Sequence, residues 1–218
     1  MNGDGNTARD TQHWDDVWTD RDPTQVTWHQ TEPNRSLALV ERYCGPDEPV
    51  IDIGGGASVL VDRLLAAGWS DLSVLDISPR PLAVSRARLG SEADRVRWIV
   101  GDVREIDLVG EIGHQAAIWH DRAVFHFLLE PDDSRAYLES VRATLRPGGH
   151  VIIATFGPDG PDRCSGLPVR RWSAEALAAE FGPAFTLDHD ELETHVSPTG
   201  VSQQFQIAVL HRSEADHP

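Results

Sequence analysis

Short apolar runs alternate with amphipathic stretches between residues 50 and 156. The apolar runs predict five buried strands, at 50–53, 72–75, 96–100, 116–119 and 150–156. Apolar residues at helical spacing between them predict helices at 59–67, 80–89, 123–129 and 133–145. Strands that alternate with helices are joined by crossover connections and therefore run parallel. The pattern predicts an α/β fold in which helices cover both faces of a mostly parallel sheet.

The pattern changes after the fifth strand. A helix is expected at 173–181, with Ser173 as its N-cap. Two further apolar segments, 185–188 and 203–210, are separated by the turn-forming sequence at 197–200. We expect these segments to pair as an antiparallel hairpin, which brings the sheet to seven strands.

The segment before the first strand has a different composition. Residues 1–12 are polar and predict a disordered tail. Residues 13–45 contain three tryptophans and a predicted helix at 36–43, and we expect them to form a helical flap or lid. The functional domain is then expected at 46–212, followed by a short tail at 213–218.

Composition limits the partners and the compartment. The 218 residues carry 19 basic side chains, all of them arginine, against 35 acidic ones, for a net charge of −16. A nucleic acid is an unexpected partner because phosphate binding requires a basic surface. We find no secretory signal and no apolar window of membrane-spanning length, so no membrane partner is expected. Cys44 and Cys164 have neither metal-site nor disulfide spacing, which favours the cytoplasm and no metal.

A glycine-rich turn is the most informative local feature. The first strand ends at Asp52 and Ile53 and continues into Gly54, Gly55 and Gly56. Glycines allow a ligand to approach the backbone closely, and the following helix offers unpaired N–H groups, which is typical of an adenosine-type cofactor site. Asp76 ends the second strand 20 residues later, where its carboxylate can bind a ribose diol. This spacing is compatible with both NAD and S-adenosylmethionine.

Three details distinguish these two cofactors. Asp52 precedes the glycines, the triplet Gly101-Asp102-Val103 follows the third strand, and Pro147-Gly148-Gly149 precedes the fifth. In this order the segment 48–156 resembles the class I S-adenosylmethionine-dependent methyltransferases, and the terminal hairpin is similar to theirs. The resemblance implies a Rossmann-like class I sheet, S-adenosyl-L-methionine as cofactor and S-adenosyl-L-homocysteine as product. A dehydrogenase has no reason to carry the Pro-Gly-Gly turn.

The resemblance also implies roles for individual residues. It places Asp52 at the methionine end of the cofactor, Asp76 at the ribose and Asp102 at the adenine. The expected cofactor-binding residues all lie at one edge of the sheet or in the lid: Asp52, Gly54, Gly55, Gly56, Asp76, Ile77, Asp102, Val103, His120 and Trp28.

Candidate catalytic residues follow the fourth strand. Polar side chains interrupt an apolar run at His120, Asp121, Arg122 and His126. A helix that begins at residue 121 or 122 would place Arg122 and His126 on one face. We expect His120 or His126 to accept the proton of the methyl acceptor, and Asp121 and Arg122 to position the substrate. A packed histidine at position 126 and a structural Asp121–Arg122 ion pair remain alternatives.

Two further segments provide candidate acceptor-binding residues. The lid contributes aromatic and polar side chains, and the loop at 157–171 is too long for a plain connection. The candidates from these segments are Trp14, Trp28, His29, Arg163, Cys164 and Arg170. Trp28 is our choice for closing over the sulfonium, because an aromatic face favours a cation. Trp14 and Trp18 as lid anchors, and Cys164 as a small buried hydrophobe, are the alternatives.

Two short resemblances bear on the acceptor. Asp121-Arg122-Ala123 is similar to the Asp-Arg-Ala of thiopurine and related thiol S-methyltransferases, whereas the early tryptophans resemble small lysine methyltransferases that act on translation factors. We expect transfer of the methyl group to a small molecule, with a thiol or an amine favoured. A protein lysine or histidine methyltransferase is the alternative, and a non-catalytic cofactor-binding regulatory subunit is a further one. Oligomeric state is not predicted.

Overall fold

A computed structural model describes residues 3–20 and 22–214, with the side chains of residues 10–19 and 22–214. Within this part of the chain, no helix combines the length and the apolar character needed to cross a membrane.

One seven-stranded sheet forms the centre of the molecule. The strands in chain order are β1 (Val50–Ile53), β2 (Leu72–Asp76), β3 (Val96–Val100), β4 (Ala116–Arg122), β5 (Leu145–Phe156), β6 (Arg163–Cys164), β7 (Leu167–Pro168), β8 (Phe185–Val196) and β9 (Ser202–Arg212). The spatial order of the sheet is β3-β2-β1-β4-β5-β9-β8. Neighbours from β3 to β5 are parallel, while β9 pairs antiparallel with both β5 and β8. The predicted sheet with its C-terminal hairpin is confirmed, and β6 and β7 form a separate small hairpin.

Helices cover both faces of this sheet, as expected. The α-helices are α1 (Gly3–Asp20), α2 (Asn34–Tyr43), α3 (Leu60–Ala66), α4 (Pro79–Leu89), α5 (Leu108–Ile112), α6 (Pro131–Thr144) and α7 (Ala174–Phe181), and two 3₁₀ helices span Gly90–Arg95 and Phe125–Phe127. The apolar side chains of α2, α3 and α4 pack in a core on one face. Those of α5, α6 and α7 pack in a second core on the other face. Ser173 caps α7 as predicted, since its hydroxyl accepts from Ala176 N at 3.2 Å.

The N-terminal segment differs from the expected disordered tail at 1–12. Helix α1 begins at Gly3, while residues 1 and 2 lie outside the described residues, as do 215–218 of the predicted C-terminal tail. The helix has tertiary partners: Asp10 binds Arg104 at 2.7 Å, and Asp15 accepts from the Ser78 hydroxyl at 2.5 Å. These contacts explain the difference, because a polar composition does not reveal ion pairs and hydrogen bonds to distant residues.

The end of β4 also differs from the prediction. The strand continues to Arg122, Ala123 then takes a positive φ of 71°, and only the short 3₁₀ helix Phe125–Phe127 follows. Arg122 and His126 therefore do not share a helical face. Because side chains alternate along a strand, His120 and Arg122 lie on one face of the sheet and Asp121 lies on the other.

Asp121 fixes the turn that ends β4. Its Oδ1 accepts from Val124 N at 2.9 Å, and its Oδ2 accepts from Phe125 N at 3.1 Å and from the Tyr137 hydroxyl at 2.6 Å. The Trp119 indole N–H donates to the same hydroxyl at 2.8 Å. Burial raises the pKa of Asp121 to about 6, so the side chain is an ionised acceptor at neutral pH. A bond to a charged acceptor is stronger than a neutral one, and the turn is held rigidly.

Replacement of Tyr137 by Phe tests this network. Tyr137→Phe removes the hydroxyl from Asp121 and from Trp119, and we expect the free energy of unfolding to fall by about 1–3 kcal/mol. Urea unfolding followed by circular dichroism measures the loss. The matched control is Tyr43→Phe at the half-buried end of α2, which should change stability by less than about 0.5 kcal/mol. Equal losses in the two variants would contradict the importance of the Asp121 network.

Candidate active site

Two adjoining cavities lie at the carboxyl ends of the parallel strands, where open α/β sheets bind ligands. The larger has a volume of about 340 Å³ and is lined by Gly54, Asp76, Ile77, Asp102 and Val103 on the side of β1, β2 and β3. The smaller, of about 60 Å³, is lined by Asp52, Gly54, Gly55, Gly56 and His120. Every residue predicted to bind the cofactor, including Trp28, therefore lines at least one of the two cavities.

The glycine turn follows β1 and leaves no room for side chains. Gly54 and Gly56 have positive φ values of 63° and 43°, a region that favours glycine. A Cβ at Gly54 would overlap Val124 Cγ2, and a Cβ at Gly56 would lie 2.7 Å from Asp76 Oδ2. The turn thus brings the backbone against the side chains that line the larger cavity.

Asp76 lies at the end of β2 with its carboxylate at the larger cavity. Its Oδ1 accepts from Ser78 N at 2.9 Å. Burial, together with the nearby carboxylates of Asp52 and Asp15, raises the pKa of Asp76 to about 7. A carboxylate placed beside a glycine turn is a suitable acceptor for a ribose diol, so this site fits an adenosine-type cofactor.

Asp102 is engaged by an arginine that the sequence does not identify. Asp102 Oδ1 accepts from Arg104 N and Nε, both at 2.9 Å, and Oδ2 accepts from Arg104 Nη2 at 2.5 Å. Arg104 also binds Asp10 of α1 at 2.7 Å and Asp133 of α6 at 2.9 Å. An adenine amino group at Asp102 would therefore share the carboxylate with Arg104.

His120 forms a buried chain with Asp52 and Ser36. The two strand residues are register partners in β1 and β4, and His120 Nδ1 lies 2.6 Å from Asp52 Oδ1. His120 Nε2 lies 2.9 Å from the hydroxyl of Ser36 in α2. A neutral imidazole that donates from Nδ1 to the carboxylate accepts at Nε2 from the serine. Both nitrogens of His120 are thus occupied, which the sequence does not predict because Ser36 lies 84 residues away.

Two of the predicted catalytic side chains lie away from the cavities. Among the described residues, neither Asp121 nor His126 lines either cavity, contrary to the prediction. Asp121 is turned to the other face of the sheet, where its oxygens bind Val124, Phe125 and Tyr137. His126 Nδ1 accepts from Phe156 N at 3.3 Å, and burial lowers the pKa of His126 to about 3. His126 is a packed neutral histidine, which was the alternative interpretation of its position.

Aromatic side chains of the N-terminal segment line the larger cavity. The Trp14 ring centroid lies 5.2 Å from that of Phe127 and 6.2 Å from that of Trp28, and both pairs meet edge to face. Trp18 meets Trp28 in the same way at 6.0 Å. His29 lines the smaller cavity. Trp14, Trp28 and His29 therefore lie at the site as expected.

Of the three candidate acceptor-binding residues in the loop after β5, one lines a cavity. Cys164 in β6 is buried and lines the larger cavity, together with Leu167 and Pro168 of β7. Arg163 is exposed and donates to the carbonyl of Gly166. Arg170 is also exposed, and its guanidinium lies 4.9 Å from the Trp172 ring centroid. In the part of the chain that the structure describes, these two arginines do not line the cavities.

Arg122 lies where the two cavities meet. It lines both of them, and its Nη1 donates to the carbonyl of Trp28 at 3.1 Å. Its guanidinium carbon lies 4.3 Å from the ring centroid of Phe205 in β9. The arginine that the sequence assigns to substrate positioning therefore lines both cavities, and its contacts with Trp28 and Phe205 differ from the alternative, an ion pair with Asp121.

Comparison with known proteins agrees with this geometry. Residues 50–149 match a family model described as a methyltransferase domain. EEF1A lysine methyltransferase 2 of Homo sapiens is 24% identical over 214 residues, which cover 91% of this chain and 83% of that protein. Ribosomal protein L11 methyltransferase of Geobacillus thermodenitrificans is 26% identical over 142 residues, or 64% of this chain and 43% of the relative. The chain covers 43–62% of the lengths of the first three curated relatives.

A solved structure supports the fold. The 1,6-didemethyltoxoflavin-N1-methyltransferase of Burkholderia thailandensis, which has S-adenosylhomocysteine bound, has a TM-score of 0.63 and 23% identity. The match covers 96% of this chain and 86% of that one. Residues 50–149 are therefore similar to a methyltransferase domain, and the chain shares the fold of a solved methyltransferase structure that has S-adenosylhomocysteine bound.

Proposed function

We propose that this chain transfers the sulfonium methyl of S-adenosyl-L-methionine to a small molecule that carries a thiol or amine nucleophile. One observation carries the proposal: a single cavity has groups suited to an adenosine ligand at one end and an aromatic, lid-covered wall at the other. The acidic net charge of −16 argues against a nucleic-acid acceptor.

The cofactor supplies an electrophilic methyl group, and the protein contributes binding and alignment. In this proposal Asp76 would accept from the ribose, the turn at Gly54 would allow close backbone approach, and the hydrogen-bonded chain of Asp52, His120 and Ser36 would lie at the methionine end. The tryptophans around Trp28 that line this cavity would limit the access of water, and an aromatic ring is a favourable neighbour for a cationic sulfonium. S-adenosyl-L-homocysteine is the expected product.

The cover of the cavity favours a small acceptor. Asp10 and Asp15 of helix α1 form hydrogen bonds with residues that follow β3 and β2, at the end of the cavity assigned to the cofactor. Trp14 and Trp28 lie over the middle, and the β6–β7 hairpin adds Cys164 on the acceptor side. A polypeptide acceptor needs an open mouth, whereas a small molecule fits beneath such a cover.

A protein lysine or histidine acceptor is the second candidate. The observation that favours it is the match to EEF1A lysine methyltransferase 2, which extends over 91% of this chain and 83% of that protein. A non-catalytic cofactor-binding subunit is a third candidate and would bind the cofactor without turnover.

Transfer from methyl-labelled S-adenosyl-L-methionine distinguishes these candidates. The enzyme is incubated separately with a panel of thiols, a panel of amines and the protein fraction of a cell extract. We expect label in a thiol or amine product. Label confined to protein would overturn the small-molecule proposal, and cofactor binding without transfer in every arm would favour the non-catalytic subunit.

The raised pKa of Asp76 predicts that the affinity for the cofactor depends on pH. Because burial raises the pKa of Asp76 to about 7, the ionised acceptor is lost as the pH falls below 7. We expect the Kd for S-adenosyl-L-homocysteine to rise by up to about tenfold per pH unit below 7 and to be flat above it. Tryptophan fluorescence measures binding. Asp76→Asn should bind about 10–100-fold more weakly at pH 8 and lose this pH dependence, and an unchanged profile would remove Asp76 from the site.

Gly54→Ala tests the close approach at the glycine turn. The new Cβ would overlap Val124 Cγ2, so we expect cofactor affinity to fall by more than about tenfold. Gly113→Ala is the matched control, since Gly113 has a φ of 82° and nothing lies within 4 Å of the added Cβ. Both variants carry the backbone cost of about 1 kcal/mol for a left-handed alanine, but only Gly54→Ala should lose binding. Equal affinities in calorimetric titrations would contradict the assignment.

A further inference from the structure

The guanidinium of Arg122 is an unusual buried charge. Its Nη1 donates to the Trp28 carbonyl at 3.1 Å, whereas its Nη2 is buried and has no hydrogen-bond partner among the described residues. The group packs 4.3 Å from the centroid of the Phe205 ring. Within the described chain, Arg122 forms no ion pair of the kind seen for Arg104 with Asp102, Asp10 and Asp133.

Burial of such a cation costs free energy unless an anion offsets it. Burial lowers the pKa of Arg122 to about 10, so the side chain remains protonated at neutral pH. The charged or titratable groups that face it are Glu193 of β8, Cys164 of β6, His126 and His195. Neither histidine can supply a negative charge, and burial lowers the pKa values of both, so they add no positive charge either. Glu193 is the one carboxylate among these groups, and its charge raises the pKa of Arg122 without an ion pair between the two side chains in the described chain.

The position of Arg122 indicates where a compensating anion would come from. The side chain lines the smaller cavity together with Asp52, and it also lines the larger cavity together with Phe127 and Cys164. The lining of the smaller cavity thus includes an acid and a cation, which complement the ammonium and carboxylate of an amino-acid group. A guanidinium fork matches a carboxylate better than it matches a single-atom anion.

We propose that Arg122 is the binding site for a carboxylate of a bound ligand, contributed either by the methionyl end of the cofactor or by the methyl acceptor. The proposal rests on the proposed function, because both ligands are those of a methyltransferase. Arg122 then acts as a specificity-determining residue that selects ligands with a negative group at the junction of the two cavities. The contacts with the Trp28 carbonyl and the Phe205 ring hold the guanidinium in place before the ligand binds.

Binding measurements on three variants test the proposal. Arg122→Met removes the charge, Arg122→Lys keeps a charge without the fork, and Arg42→Met removes an exposed arginine that also stacks on a ring, with 5.3 Å between its guanidinium carbon and the Tyr43 ring centroid. The probes are S-adenosyl-L-homocysteine and methylthioadenosine, which lacks the amino and carboxylate groups. Circular dichroism and thermal melts establish that each variant is folded.

A cofactor carboxylate predicts a selective loss. Arg122→Met should bind S-adenosyl-L-homocysteine about 10–100-fold more weakly, Arg122→Lys should lose less, and methylthioadenosine should bind all proteins equally. An acceptor carboxylate predicts unchanged affinity for both nucleosides. In that case kcat/KM for 3-mercaptopropionate should fall at least about tenfold in Arg122→Met, while that for its methyl ester should not.

Two results would overturn the proposal. One is that folded Arg122→Met behaves as wild type, or as Arg42→Met, with every probe. The other is an equal loss for probes with and without a carboxylate, which would indicate that Arg122 only supports Trp28. Failure of the wild-type protein to bind S-adenosyl-L-homocysteine would instead contradict the proposed function, so the two failures are distinguishable.

Discussion

The hydrogen bonds to Asp121 determine the shape of the ligand side of the molecule. Two backbone N–H groups and the Tyr137 hydroxyl hold this carboxylate at the end of β4, and the chain must then turn at Ala123. The turn places Val124 against Gly54 and leaves Arg122 facing the cavities. A residue on the far face of the sheet thus positions the groups that meet a ligand on the near face.

The carboxylates along the edge of the sheet are each compensated differently. Asp52 pairs with His120, Asp102 with Arg104, and Asp76 accepts from a backbone N–H while burial raises its pKa. Arg122 is a cation among these acids, and it lies at the junction rather than beside an acid. The carboxylates therefore lie at the end of the site that would hold a nucleoside, and the arginine lies between the two cavities. A ligand has to match these charges as well as the size of the cavities.

The sequence predicts the features that depend on local pattern. Apolar runs locate the strands, and the glycine turn and the acids at strand ends locate the cofactor side. Features that depend on distant partners are not predictable in this way: Ser36 meets His120 across 84 residues, and Arg104 meets Asp10 across 94. His126 is misinterpreted for the same reason, since the Phe156 N–H that occupies it lies 30 residues further along the chain. A polar residue in an apolar run is as compatible with a packed core residue as with a ligand-binding one.

Helix α1 is attached through the same residues that face the cofactor. Asp10 holds Arg104, which holds Asp102, and Asp15 accepts from Ser78, whose backbone N–H binds Asp76. A ligand that accepts or donates hydrogen bonds at Asp102 or Asp76 would therefore share its partners with the helix. By thermodynamic reciprocity, a ligand that strengthens these contacts would stabilise the docked helix, and the docked helix would raise the affinity for that ligand by the same factor.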